Sequence, residues 1–181
     1  MALHAAVLAA VGALHLGGEF LVTEKARLAL ALPVAAKQES QPRLQLDADA
    51  TRAVFETFAR DGAVVIRGAL QPRDLALLEQ GIEHNLAHLS PLALVASEPD
   101  DPGRFVEDFC TWQSNPDYRR VLTESALPHL AAQLMQSQAV RLYHDHLLVK
   151  EAGTRQPTPW HQDQPYYNVG GMQNVSFWIP V

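Results

Sequence analysis

Arg141-Leu142-Tyr143-His144-Asp145-His146-Leu147-Leu148-Val149-Lys150 is the stretch that sets the fold class. Val140, Leu142, His144, His146 and Leu148 alternate with Arg141, Tyr143, Asp145, Leu147 and Val149, the period of two expected of a β-strand. Before it, apolar residues recur at helical spacing. Val54, Phe55 and Phe58 share one face of a helix predicted over 47–60, and Leu75, Leu78, Ile82 and Leu86 form a stripe over 71–89. Residues 63–66 (AVVI) read as a short β-branched strand, Asn115-Pro116-Asp117 starts a further helix, and 127–135 reads as another. After it, residues 160–164 read as extended chain, Gly170-Gly171 as a turn and 175–181 as a strand. Helices first and strands last predict an α+β domain packed on a jelly-roll core.

A chain of 181 residues with 48% hydrophobic and 19% charged residues reads as one ordinary globular domain with a proper core. Its net charge of −6 argues against nucleic acid or an anionic membrane surface as the main partner. Cys110 is the only cysteine, which precludes an intrachain disulfide and fits a cytoplasmic location. Phe109 and Trp112 beside it point to a buried, inert thiol. Residues 1–16 are rich in Ala, Leu and Val, yet they lack a basic flank, and Glu19, Glu24, Lys25 and Arg27 interrupt the run. That argues against a signal peptide and a membrane span. Residues 2–32 read as one or two helices or as a loosely attached extension, and the polar stretch 37–43 marks a boundary. The chain thus divides into an extension of unknown role, 1–43, and a domain proper, 44–181.

Pro159-Trp160-His161-Gln162-Asp163-Gln164-Pro165-Tyr166-Tyr167 carries the chemistry. On an extended strand, residues two apart point the same way, so the His161 imidazole and the Asp163 carboxylate converge on one cation. They are two of the three donors of the facial triad that holds non-haem Fe(II). The plainer alternative is a surface polar pair. His144-x-His146 offers another: with His161, these would make a cupin-like metal site. His84 and His88, four apart on a helix, read as exposed.

The wording of 141–153 (RLYHDHLLVKEAG), 157–168 (PTPWHQDQPYYN) and 173–180 (QNVSFWIP) closely resembles the phytanoyl-CoA dioxygenase family of Fe(II)- and 2-oxoglutarate-dependent oxygenases. The likeness covers about residues 47–181 and is most specific from Tyr143 to Trp178. It implies a double-stranded β-helix (jelly-roll) core with N-terminal helices. It also implies Fe(II) on His161 and Asp163, and 2-oxoglutarate against His146, Lys150, Gln162 and Trp178. Tyr166 and Tyr167 would line the wall for a small organic substrate or acyl derivative. Arg104 is the nearest basic candidate for a further contact to the cosubstrate, and no catalytic acid or base is assigned. The family's third ligand, a histidine, and the arginine that grips 2-oxoglutarate lie several strands later, beyond Val181. The resemblance therefore implies a partial dioxygenase domain without its C-terminal strands, expected to be inactive alone. Its strands at 140–149 and 175–181 should lack neighbours and aggregate. The competing readings are the cupin-like metalloprotein and a non-catalytic truncated relative.

Overall fold

The computed structural model describes residues 4–12, 48–168, 170–171 and 173–181. Strand β1 is His4–Gly12, followed by helices α1 (Ala48–Asp61) and α2 (Pro72–Ala87). Strands β2 (Leu94–Val95) and β3 (Phe105–Phe109) come next, then a 3-10 turn at Thr111–Gln113. Helices α3 (Pro116–Glu124) and α4 (Leu127–Leu134) precede β4 (Arg141–Lys150) and β5 (Asn174–Pro180). The strands form one sheet in the order β2-β3-β4-β1-β5, and each neighbouring pair is antiparallel. The class is α+β. Among the described residues there is a single sheet, without the second, facing sheet of a jelly roll.

Local chemistry explains the helix starts. The Gln71 backbone N–H donates to the Asp74 carboxylate at 3.0 Å, and Pro72 pre-sets the first turn of α2. At α3, Asn115 Oδ1 accepts from the backbone N–H groups of Asp117 and Tyr118. The Asn115 amide also donates to the Gly81 carbonyl at 2.9 Å, which ties α3 to α2.

These helices cover one face of the sheet. Leu78 and Ile82 of α2, Tyr118 and Val121 of α3 and Leu127 of α4 pack with Val106, Leu147, Val149 and Ile179 of the strands. Full burial of a Val, Leu or Ile contributes roughly 1.5–3 kcal/mol. Two carboxylates share this buried face. Asp108 accepts from Asn85 Nδ2 at 2.7 Å, from the Ser90 N–H at 2.8 Å and from the Ser90 hydroxyl, pinning the loop after α2 to β3. Asp145 accepts from Thr111 Oγ1 at 2.7 Å and from the N–H groups of Thr111 and Trp112, which holds the 3-10 turn.

Four expectations are corrected. Residues 4–12 are not helical: they form β1, inserted between β4 and β5, so these two strands do not face each other as open edges. The other residues of the apolar N-terminal run lie outside the described ones. Residues 63–66 form no strand, and Val65 is 75% exposed, because no neighbour offers a ladder there. Strand β2 falls in the Pro- and Asp-rich stretch 90–103, which reads as a loop in the sequence, and β3 follows where the sequence suggests no strand. His161 and Asp163 stand in irregular chain entering a 3-10 turn at Gln164–Tyr166, not on a strand.

Candidate functional site

Alternation along the strands decides what the second sheet face carries. With Asp145, Leu147 and Val149 turned to the helices, His144, His146, Leu148 and Lys150 lie on the opposite face. Phe105, Glu107 and Phe109 of β3 stand in register with Lys150, Leu148 and His146. On β5, Ser176 and Trp178 alternate with the core-facing Val175, Phe177 and Ile179. One row across the sheet reads Phe109, His146, Leu8, Trp178. Two strand spacings, about 10 Å, therefore separate the His146 and Trp178 backbones.

The His146 ring stacks on Phe109 with centroids 4.0 Å apart. Burial pushes its pKa down to about 4, helped by neighbouring His144 and opposed by Asp163 and Asp108. It is a neutral imidazole at pH 7, and its buried Nε2 has no hydrogen-bond partner among the described residues. The Lys150 ammonium lies 4.6 Å over the Phe105 ring and donates to the Gln156 carbonyl at 3.2 Å. Burial raises the Glu107 carboxyl, while Lys150 and His161 pull it back.

The chain after β4 folds so that His161 and Asp163 come near this face. His161 Nδ1 lies 2.8 Å from the Pro159 carbonyl, a contact that places the ring proton on Nδ1. Nε2 then carries a lone pair, and it faces Asp163 Oδ1 at 3.3 Å. Two acceptors so close repel unless a proton or a metal cation stands between them. A histidine whose far nitrogen is bonded to a backbone carbonyl is the arrangement metal-ligating imidazoles adopt. Asp163 and Ser176 both lie close enough to the Tyr167 hydroxyl to shift its acidity, which burial raises. The Tyr167 ring meets Tyr143 and His144 edge-on at 5.7 and 5.3 Å, and the Asn168 N–H donates to the Tyr143 hydroxyl at 3.2 Å. The side chains of His161 and Asp163 remain 43% and 45% exposed, open to an incoming ion.

His161 and Asp163 thus come together despite leaving the strand expected for them. His146, Lys150 and Trp178 share the sheet face near them, with Trp178 65% exposed. Gln162 and Tyr166 point to solvent, whereas Tyr167 is half-buried in the tyrosine–histidine contacts. Arg104 is engaged elsewhere: it pairs with Glu151 at 2.6 Å. Cys110 is half-buried, and burial pushes its thiol pKa up. His84 and His88 stack on each other, centroids 4.7 Å apart, at the exposed C-terminal end of α2. Among the described residues no three His, Cys, Asp or Glu side chains form a group able to hold a metal ion, so His144, His146 and His161 do not assemble as a cupin-like triad. Phe109, Tyr143 and Ser176 escaped the reading of the sequence. Only the register of β3 and β5 and the path of the loop bring them to the site.

The sheet face and the His-x-Asp loop are the setting in which the comparisons with known proteins fall. The family model for Phytanoyl-CoA dioxygenase (PhyH) matches residues 58–181, and the chain belongs to this family. Its members generally are Fe(II)- and 2-oxoglutarate-dependent oxygenases. Comparison with curated proteins and with solved structures found no match. Among the described residues, no helix is long and apolar enough to cross a membrane.

Proposed function

We propose that this protein serves Fe(II)- and 2-oxoglutarate-dependent hydroxylation of a small organic molecule or acyl derivative, with His161 and Asp163 as its metal donors. The observation that carries the reading is the pairing of a tautomer-fixed His161 with the Asp163 carboxylate at 3.3 Å. One nitrogen and one carboxylate oxygen suit Fe(II), which with 2-oxoglutarate and oxygen supplies the oxidising power for hydroxylation. The Pro159 carbonyl holds the His161 proton on Nδ1, and the Tyr167 hydroxyl lies beside Asp163. His146, Gln162 and Trp178 flank the cosubstrate, and the Lys150 ammonium offers its carboxylate a cation. Tyr166 and Tyr167 face the substrate. The five-stranded sheet acts as one wall of a double-stranded β-helix, the domain spans 44–181, and the protein works in the cytoplasm on a small molecule.

A histidine and a carboxylate alone bind a divalent metal weakly. Anaerobic titration with Co(II) tests the site. Weak binding lost in His161→Ala supports the reading. Binding unchanged in His161→Ala but lost in His144→Ala would transfer the site to the cupin-like histidines.

A further inference from the structure

The loop bearing His161 and Asp163 has no strand ladder to hold it, which raises the question of what fixes its root. The answer lies in the acidic turn between β2 and β3. Arg155 Nε donates to Asp101 Oδ1 at 2.5 Å, and the Arg155 backbone N–H donates to Asp101 Oδ2 at 3.2 Å. Arg155 Nη2 reaches Asp100 Oδ2 at 2.8 Å. The Asp101 side chain is only 2% exposed, although it belongs to a surface turn. Arg155 holds its carboxyl well below the usual carboxylate range.

The two backbones also interlock. A Cβ on Gly103 would lie 2.4 Å from the Ala152 carbonyl oxygen. Gly153, at φ +95°, sits where a Cβ would meet Pro102 at 2.8 Å. Both positions admit only glycine without a shift of main chain. The turn at Asp100–Gly103 and the turn at Gly153–Arg155 are therefore built against each other. Just beyond them Lys150 of β4 donates to the Gln156 carbonyl, and among the described residues the loop's next hydrogen bond to the sheet is Tyr143–Asn168, on the far side of His161 and Asp163.

We infer that Asp101 and Arg155 are positioning residues that clasp the root of the 157–168 loop and hold His161 and Asp163 over the sheet. The inference rests on the reading of His161 and Asp163 as the metal donors. It assigns a role to an acidic turn that touches no ligand. A carboxylate bonded to both the main chain and the guanidinium of Arg155 fixes direction as well as distance. Relaxing it loosens the segment that carries the two donors, since among the described residues no hydrogen bond ties residues 157–166 to the sheet.

Asp101→Asn and Arg155→Gln, each in the full chain, test this by amide hydrogen exchange and by Co(II) titration. In either variant, exchange across 157–168 should quicken about tenfold while α2 and α3 keep their protection. The Co(II) Kd should weaken about tenfold, the low end for a group behind a metal ligand. Sodium chloride at about 1 M should push the parent protein toward the variants, because Arg155 is 62% exposed and its pairing is screened. Unchanged exchange over 157–168 would overturn the clasp, as would equal acceleration in α2 and α3, which marks a general loss of stability. His161→Ala should abolish Co(II) binding and leave loop exchange as in the parent. A parent protein that binds no Co(II) would sink the metal reading, and the exchange data would still decide the clasp.

Discussion

His146 and Trp178 share one row of the sheet although their strands are not neighbours, because Leu8 of β1 stands in register with both. The site face is therefore joined through main-chain bonds from the first dozen residues. Deleting residues 1–12 removes the partner of β4 and β5 at once and leaves two bare strand edges. The deleted chain should elute as aggregates in size-exclusion chromatography, while the full chain unfolds in one cooperative thermal transition. A monomeric deletion variant with an unchanged Tm would mean that β1 does not hold these strands together.

Asp145 is a buried anion saturated by Thr111 and Trp112. Asp145→Ala strands those donors in a dry core, a loss of about 3 kcal/mol. Urea denaturation should show it. A loss below about 1 kcal/mol would mean that water replaces the carboxylate.

Gly81 and Tyr118 are packed face to face. A methyl group at Gly81 would lie 2.6 Å from the Tyr118 ring, so Gly81→Ala should cost about 2 kcal/mol despite the better helix propensity of alanine. The Tyr118 hydroxyl is buried without a hydrogen-bond partner among the described residues. Tyr118→Phe removes it and should stabilise the protein by about 1 kcal/mol in the same denaturation assay. Opposite signs for either substitution would contradict this packing.

The depressed pKa of His146 makes a prediction about acid. Between pH 6.5 and about 4 the unfolded chain takes up a proton that folded His146 refuses, so its contribution is complete above pH 6.5 and is lost as pH falls toward 4. His144, also lowered by burial, acts in the same sense, while Glu107 and Asp145, both raised by burial, oppose it. Comparison with His146→Phe isolates the one group. The variant should lose less Tm than the parent between pH 7 and pH 4.5. Parallel Tm curves would show that His146 titrates normally.

The elements legible in the sequence are those whose own residues carry a period. Leu78 and Ile82 mark α2, the alternation from Leu142 to Val149 marks β4, and Asn115-Pro116 marks the start of α3. The strand β3 was not legible. Phe105-Val106-Glu107-Asp108-Phe109 pairs apolar with apolar and acid with acid, so no period of two appears. Asp108 turns inward only because Asn85 and Ser90, far away in sequence, supply its hydrogen bonds.

The His161-x-Asp163 spacing and the aromatic residues around it were set by the sequence itself, since ligand type and separation are local properties. The tertiary structure decided the rest. His4–Gly12, a run of Ala, Val and Leu that suits a helix, became a strand because β4 and β5 offer unpaired backbone on either side. His161 meets Asp163 through a carbonyl contact and an arginine-held loop, although the two residues stand on no strand. The physical reason is the same in both cases: backbone hydrogen bonds and ion pairs between segments distant in sequence outweigh local propensity, and their partners exist only once the chain has folded.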